Sequence, residues 1–390
     1  MPEVSVLIAT YQRCGILQRA IDSVLKQDFE DFELIIVDDC SPDATPEVVN
    51  AAAEIDSRIR YIRLPKNVGS KLGDREIFRR FVYEWSTGEY FIYLCDDDFW
   101  VSKSLLSRAM GVMKSDPSVV QVMGGQVQIY PDPVRKIPHI EEPWNYEWVP
   151  GIANGLFMKG IFPDGLIPRD DFLDLQAQMP VTRNILTGAS VYRRSAFERA
   201  GVFQARKASR WQAGYELTTG VGTQGNSYYF DKPSIAANVD IGSASFRGTQ
   251  LLHMNDCLVS IDIAFSKPLR DADPYDQLVL RYFEKKMKHA IIFNYVRNKL
   301  GYQLGWFGDG TLLEMRKIFK PEIRGWKFLQ TAIKHGVPLS RENLRLLALC
   351  SLPSSMLPRY VKREIDRYGV HHWHREMSKW ADDQVEVHLP

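Results

Sequence analysis

The sequence predicts an α/β fold built on a mostly parallel β-sheet with helices on both faces. Through the first hundred residues, short apolar runs rich in β-branched side chains alternate with segments whose apolar residues recur at helical spacing. The strand-like runs are apolar almost throughout, which is typical of strands covered on both faces. Because strands that alternate with helices form βαβ units, most of the sheet should be parallel.

The first three elements follow directly from this pattern. Residues 4–10 form a β-branched apolar run and are predicted to be the first strand. Residues 16–27 carry apolar side chains three and four positions apart, which predicts an amphipathic helix. Residues 32–37 form the second apolar run and therefore the second strand.

The next elements repeat the alternation. Prolines mark a turn into a helix over residues 46–54, and residues 58–64 form the third strand. A helix over residues 74–85 then leads into the fourth apolar run, residues 89–95. That run ends directly in Asp96-Asp97-Asp98.

Polar side chains stand where three of these strands end. Thr10-Tyr11, Asp38-Asp39 and Asp96-Asp97-Asp98 each follow an apolar run. Parallel strands place their carboxyl ends at one edge of the sheet, and ligands bind there. We therefore expect the three groups to converge on one site.

The aspartate run also has an electrostatic requirement. Carboxylates this close together cannot all stay ionised unless a positive charge neutralises them. Their hard oxygen atoms suit Mg²⁺ or Mn²⁺, and open positions on such an ion would bind phosphate. A solvated acidic turn is the alternative interpretation, but it leaves the other two strand ends unexplained.

Taken together and in order, the motifs resemble those of family 2 glycosyltransferases. They are Val4–Arg13, Ala20–Gln27, Phe32–Asp39, Gly88–Tyr90 and the aspartate run. The resemblance is close over residues 1–115 and weaker as far as residue 250. It implies a GT-A fold, a nucleotide-sugar donor, Mn²⁺ or Mg²⁺ as a cofactor, and inversion at the anomeric carbon.

The resemblance also implies a set of donor-binding residues. They are Thr10, Tyr11, Asp39, Lys66, Asn67, Asp96 and Asp97. Thr10 and Tyr11 would line the base and ribose pocket, while Asp38 orients the loop. Asp39 would accept a hydrogen bond from the uracil ring N–H, which favours UDP or dTDP because a carboxylate can only accept.

The predicted metal ligands are Asp98 and Asp96, with Asp240 as a further candidate on the closing strand. Many family members carry Asp where Cys95 stands and a small residue where Asp96 stands. The assignment of ligand roles within the run is therefore open by one residue.

An inverting transfer needs a general base that removes the proton of the acceptor hydroxyl. Where family members usually carry Glu-Asp, this chain reads Ala213-Gly214. Glu216 is the nearest carboxylate and the first candidate for the base, followed by Asp170 and Asp171 in the preceding Pro-rich loop. The alternative for Glu216 is a solvated helix residue with no catalytic role.

The 390 residues, of which 45% are hydrophobic, suffice for two domains. We expect a catalytic domain over 1–268, divided into a nucleotide-binding half (1–115) and an acceptor half (116–268), and a helical extension over 269–390. No uncharged apolar stretch reaches the roughly 18 residues of a spanning helix. The five scattered cysteines and the early first strand predict a cytoplasmic protein with reduced thiols and no signal peptide.

The C-terminal extension is basic. Residues 270–363 hold 18 Lys and Arg against 8 Asp and Glu. Helices are predicted over 275–300, 311–319, 322–334, 340–350 and 357–367. Basic amphipathic helices with Trp and Phe suit the anionic inner face of a membrane, where a lipid-linked acceptor could be presented. The alternative is a helical bundle packed on the catalytic domain, and no motif supports a nucleic-acid partner.

These observations predict a metal-dependent, inverting glycosyltransferase. It would move a sugar from a UDP-sugar or dTDP-sugar to a glycan or lipid-linked acceptor, in the assembly of cell-surface polysaccharide or glycolipid. The alternative is a non-catalytic nucleotide-sugar-binding subunit, which the Ala213-Gly214 departure allows. A nucleotidyltransferase shares this order of strands and helices, but the paired Val-Asp-Asp and Asp-Asp-Asp motifs argue against it.

Overall fold

A computed structural model describes residues 1–69, 73–129, 145–148, 155–178, 188–204, 213–238, 250–303 and 325–337, together with residues 339, 344, 347 and 348. Its strands are β1 (Val4–Thr10), β2 (Phe32–Asp38), β3 (Ile59–Arg63), β4 (Tyr90–Cys95), β5 (Phe99–Trp100), β6 (Val119–Ile129), β7 (Asn145–Trp148), β8 (Gly155–Lys159), β9 (Gly165–Ile167), β10 (Ser190–Arg193) and β11 (Asn226–Asn238). Its helices are α1 (Cys14–Leu25), α2 (Thr45–Ile55), α3 (Gly73–Arg80), α4 (Leu105–Ser115), α5 (Arg169–Gln178), α6 (Arg194–Ala200), α7 (Ala213–Gly222), α8 (Gln250–Asp271), α9 (Pro274–Gln303) and α10 (Gly325–Lys334). The predicted alternation of strands and helices is confirmed, except that the helix expected to reach residue 85 becomes a π-helical turn after Arg80.

The described strands form one mixed sheet in the order β3-β2-β1-β4-β10-β6-β11-β5; in addition, β8 pairs with β6, β7 pairs with β8, and β9 pairs with β11. β1, β2, β3 and β4 pair in parallel, and so do β6 and β11. β10 lies antiparallel between β4 and β6, so β4 and β6 run in the same direction. The carboxyl ends of β1, β2, β4 and β11 therefore meet at one edge of the sheet.

Alternating side chains of the central strands point to opposite faces, as strand geometry requires. Val6 and Ile8 of β1 pack into an apolar cluster with α1, α2 and α4. Leu7, between them, packs into a second cluster with α3, α6 and α7 on the opposite face. This arrangement confirms helices on both faces, and it explains why these strands are apolar almost throughout.

The C-terminal helices share an apolar core with the rest of the chain. One cluster contains Phe172 of α5, Tyr229 of β11, Leu258 of α8, Met287 of α9 and Phe328 of α10. The domain boundary predicted after residue 268 lies inside α8, so no linker separates the two parts at that point. The helices predicted over 311–319 and 357–367 lie outside the described residues.

Part of the C-terminal positive charge is used within the fold. Lys286 contacts Asp174 of α5 at 2.6 Å, and the buried Lys288 contacts Glu284 at 2.7 Å. Lys285 is exposed. Among the helices that the structure describes, none has the length and apolar character needed to cross a bilayer.

Candidate functional site

The loops that follow β1 and β2 have an unusual backbone. Gln12 and Cys40 adopt positive φ angles of 55° and 62°, a region that non-glycine residues rarely occupy. A hydrogen bond connects the two loops, because the Gln12 backbone N–H donates to the Ser41 hydroxyl at 3.0 Å. Strained backbone of this kind persists only where its surroundings fix it, and it is frequent at binding sites.

Asp38 fixes the loop after β2. It is fully buried, and its carboxylate accepts hydrogen bonds from the Ser41 backbone N–H at 2.8 Å and from the Tyr61 hydroxyl at 2.7 Å. Burial and the hydrogen bond to Asp38 raise the pKa of the Tyr61 hydroxyl, which therefore stays a donor. This geometry agrees with the predicted loop-orienting role of Asp38.

Asp39 connects the β2 loop to the loop after β3. Its two carboxylate oxygens accept hydrogen bonds from the backbone N–H groups of Val68, at 2.7 Å, and Gly69, at 3.0 Å. The Asn67 side-chain amide donates to the Asp39 carbonyl at 3.1 Å. The structure thus brings together the predicted donor-binding residues Asp39 and Asn67, while Lys66 beside them is exposed.

The first strand contributes two predicted residues and one that sequence reasoning missed. Thr10 is buried at the end of β1, whereas Tyr11 is 41% exposed. Arg13, two residues further on, donates from Nη1 to Asp96 Oδ1 at 2.9 Å and to Asp97 Oδ2 at 2.5 Å. Burial opposes the charge of Arg13, but the two carboxylates outweigh it and raise the pKa of the guanidinium.

Arg13 does not neutralise the whole aspartate run. Burial raises the pKa of Asp96 to about 6, against the opposing effect of Arg13. Burial also raises the pKa of Asp98 to about 7, and the charge of Asp97 adds to this rise. The run therefore has more carboxylates than one guanidinium can balance, and a cation bound there would stabilise their ionised forms.

The ligand atoms of Cys95, Asp97 and Asp98 lie within 4.8 Å of one another. Carboxylate oxygens at this spacing fit Mn²⁺ or Mg²⁺. The group does not include the predicted ligand Asp96, whose carboxylate is bound to Arg13. In this structure the residues that could hold a metal together are therefore Cys95, Asp97 and Asp98, and the ligand role of Asp96 stays a prediction.

The end of β11 closes the site. β5 pairs with β11 at Ile235 and Ala236, which places Asn238 beside the aspartate run. The Asn238 backbone N–H donates to Asp98 Oδ1 at 3.1 Å, and its side-chain amide donates to the Asp97 carbonyl. The contact of Asn238 could be expected only from its position on the closing strand. The predicted ligand Asp240 lies outside the described residues.

Glu216, the first candidate for the general base, is buried in α7. It has no exposed surface, and its Oε1 accepts a hydrogen bond from the Phe203 backbone N–H at 2.6 Å. Phe203 has a positive φ of 61°, so Glu216 holds a strained turn. An acceptor hydroxyl would have to enter this buried space, and the geometry therefore argues against the base role predicted for Glu216.

Asp170 and Asp171 begin α5 at the opposite edge of the sheet. β9 pairs with the first residues of β11, and the Arg169 backbone N–H donates to the Asn226 side chain at 3.1 Å. The 13 residues of β11 span roughly 40 Å at about 3.3 Å each, and Asn238 is at the far end. A base must reach its proton within hydrogen-bond distance, so this separation argues against the base role predicted for either aspartate.

Comparisons with known proteins agree with this geometry. A Campylobacter jejuni protein named GalNAc(5)-diNAcBac-PP-undecaprenol beta-1,3-glucosyltransferase is 34% identical over 126 residues, which is 32% of this chain and 38% of that protein. A Bacillus subtilis protein with the provisional name teichuronic acid biosynthesis glycosyltransferase TuaG is 29% identical over 147 residues. That alignment covers 37% of this chain and 56% of TuaG, so the similarity spans between 38% and 56% of the length of these two relatives.

A solved structure shares the fold over most of the chain. The S. aureus protein TarS, residues 1–349 in complex with UDP, superposes with a TM-score of 0.51 and 15% identity, covering 90% of this chain and 88% of that one. At this identity the similarity concerns the fold alone, and it supports the predicted GT-A arrangement. The model of the family described as Glycosyl transferase family 2 matches residues 5–201, just over half of the 390 residues. Together with the converging strand ends, this match shows that the chain belongs to glycosyl transferase family 2.

Proposed function

We propose that this chain is a metal-dependent, inverting glycosyltransferase that uses a UDP-sugar or dTDP-sugar. The observation that carries the proposal is the convergence of Thr10, Asp39 and the aspartate run at the carboxyl edge of the sheet. Three separate strands deliver these groups, and two strained loops hold them in place. Convergent polar groups at this edge are the expected position of a ligand site in an open α/β sheet.

Within this site, Asp39 would recognise the base. Its oxygens are fixed by two backbone N–H donors, and an ionised carboxylate has about four acceptor positions. Two positions thus stay unfilled by these bonds, and the uracil or thymine ring N–H is a donor that matches them. Exposed Lys66 stands near the same loop and would meet the diphosphate.

Asp97 and Asp98, with Cys95, would hold the divalent ion. When bound, Mn²⁺ or Mg²⁺ supplies positive charge for the departing diphosphate. The chain's own part is to keep these ligands ordered: Arg13 holds Asp97 from one side, and Asn238 holds Asp98 from the other. The relative positions of the ligands are therefore set before the donor arrives.

The acceptor and its presentation are also part of the proposal. The C. jejuni relative is named for an undecaprenol-linked substrate, which supports a lipid-linked or glycan acceptor in cell-surface polysaccharide assembly. A peripheral contact of residues 270–363 with anionic membrane would bring the enzyme to such an acceptor. Lys286 and Lys288 are engaged in ion pairs, so the contact would rely on other cations of this region, such as Lys285.

A second function is favoured by the positions of the predicted bases. Among the described residues, Glu216 is buried and Asp170 and Asp171 lie at the opposite sheet edge. A chain that binds the nucleotide-sugar without a base would be a non-catalytic donor-binding subunit. UDP release from UDP-sugars in the presence of membrane extract separates the two functions, because only an enzyme turns over.

Calorimetry tests the donor site directly. We would titrate UDP, dTDP, GDP and CDP into the native chain and Asp98→Ala, with and without Mn²⁺. We expect UDP and dTDP to bind in a metal-dependent way and Asp98→Ala to lose this binding. Asp116→Asn is the matched control, since the side chain of this partly exposed aspartate forms hydrogen bonds only with Ser118 among the described residues. Binding that is indifferent to metal and to Asp98 would refute the proposal.

A further inference from the structure

We propose that Cys95 is a metal ligand, so that the site holds its divalent ion through one sulfur and two carboxylates. The sulfur should shift the preference of the site from Mg²⁺ toward thiophilic ions such as Co²⁺, Zn²⁺ and Cd²⁺. The inference rests on the proposed function, because it concerns the ligands of the donor-site metal.

The position of Cys95 carries the geometric part of the argument. It ends β4, next to Ala9 of β1, and its sulfur lies within 4.8 Å of the ligand oxygens of Asp97 and Asp98. Two ligands of one ion are at most about twice the metal–ligand distance apart, or about 4.0–4.6 Å for bonds of about 2.0–2.3 Å. Small side-chain rotations therefore suffice to bring all three atoms onto one ion.

The partners of the aspartates limit the oxygen atoms that the run can offer an ion. Asp96 is 8% exposed, and its carboxylate is bound to Arg13, as is one oxygen of Asp97. Asp98 accepts a hydrogen bond from the Asn238 backbone N–H through Oδ1, which leaves its Oδ2 for the ion. Without the sulfur, the run offers the ion only Asp97 and Asp98. Cys14, Cys40 and Cys257, which the structure also describes, are not part of this group.

The identity of the third ligand has a chemical consequence. Thiolate is a soft ligand that suits Zn²⁺ and similar ions, whereas Mg²⁺ takes oxygen ligands. As a ligand, Cys95 would act as the thiolate, and its thiol proton would go to solvent. Mn²⁺, intermediate in preference, can be bound by the mixed set.

Spectroscopy of bound Cd²⁺ and Co²⁺ tests sulfur ligation without an activity assay. A metal-bound thiolate adds charge-transfer absorption in the ultraviolet. We expect this absorption in the native chain and in the control Cys14→Ser, and we expect Cys95→Ser to lack it. Calorimetry should show that Cys95→Ser weakens Cd²⁺ binding by about 10- to 100-fold and Mg²⁺ binding by less than about threefold.

The outcomes separate this inference from the proposed function. One outcome is that Asp98→Ala loses Mn²⁺ binding while Cys95→Ser changes neither Mn²⁺ binding nor Cd²⁺ binding. That outcome would overturn the sulfur ligand alone. A native chain that binds no divalent ion would overturn both. If thermal denaturation shows that Cys95→Ser is not folded, iodoacetamide labelling of the native chain replaces this variant as the test. Cd²⁺ should then slow labelling of Cys95 but not of Cys14, and equal rates with and without Cd²⁺ would reject the inference.

Discussion

Asp39→Asn provides the sharpest test of base recognition. The native carboxylate accepts from Val68 N–H at 2.7 Å and from Gly69 N–H at 3.0 Å, one on each oxygen. An Asn side chain has one oxygen and one NH₂ group, so one of these backbone donors would face another donor. The change also replaces the charged acceptor proposed for the uracil ring N–H with a neutral amide.

The size of the effect follows from the bonds that are lost. A hydrogen bond to a charged group contributes about 1.5–3 kcal/mol. Losing one such contact with UDP corresponds to an affinity roughly 10- to 100-fold lower. The cytosine ring nitrogen is an acceptor and repels a carboxylate, but it can accept from the Asn NH₂. CDP binding should therefore be unchanged or stronger, and the preference for UDP over CDP should fall by at least about tenfold.

Calorimetry with UDP and CDP in the presence of Mn²⁺ measures this ratio. Asp38→Asn is the matched control, because its buried carboxylate contacts Tyr61 and Ser41 rather than the proposed base position. It should lower the melting temperature and leave the UDP-to-CDP ratio as it is. A native preference for UDP that persists in Asp39→Asn would refute base recognition by this carboxylate.

Three further predictions concern stability and the general base. Although burial opposes it, hydrogen bonds, including one from the Ser5 hydroxyl at 2.8 Å, hold the pKa of Glu33 below its ordinary value. The ionised form of Glu33 therefore stabilises the fold above the ordinary pKa, and this stability is lost as the pH falls through the folded-state pKa. Glu33→Gln should lower the free energy of unfolding by about 1–2 kcal/mol at neutral pH. Urea denaturation should show that this difference shrinks in acid, whereas a difference that stays constant with pH would contradict the prediction. Gly88→Ala should lower the free energy of unfolding by more than about 2 kcal/mol, because the new Cβ would be 2.8 Å from the Ser5 backbone nitrogen. Gly111→Ala, whose new Cβ would have nothing within 4 Å, should raise the free energy of unfolding by up to about 1 kcal/mol. Thermal denaturation of both variants measures the two effects. Glu216→Gln should keep sugar transfer, since this buried side chain bonds the Phe203 backbone N–H and the amide oxygen can still accept that bond; a folded variant without transfer would restore Glu216 as the base.

Much of the fold was predictable because the spacing of apolar residues along the chain indicates strands and helices. The apolar runs of β1, β2 and β4 indicated burial on both faces, and the direction of parallel strands indicated where Thr10, Asp39 and Asp98 would meet. These inferences need only the chain order and the rule that parallel strands end at one edge. The predicted role of Asp38 depended on the same local reasoning.

The partners of the aspartates were not predictable from spacing. Arg13 and Asn238 lie 83 and 140 residues from Asp96 and Asp98, and their contacts depend on how β1 and β11 pair in the sheet. The charge of three adjacent carboxylates indicated that a cation was needed, but not that an arginine would supply part of it. The location of Asp170 likewise depended on β9 pairing with the start of β11, which no local pattern indicates.

The apolar cluster shared by α5, β11 and the C-terminal helices limits how this chain can be recombined with its relatives. The curated relatives align only over part of their lengths, which invites chimeras that exchange everything after the matched region. Such an exchange would replace Leu258 and Met287 while keeping Phe172 and Tyr229, so the two halves of one interior would come from different parents. A hybrid that folds would have to take α5 and β11 from the same parent as the C-terminal helices. The C-terminal helices therefore cannot be exchanged on their own.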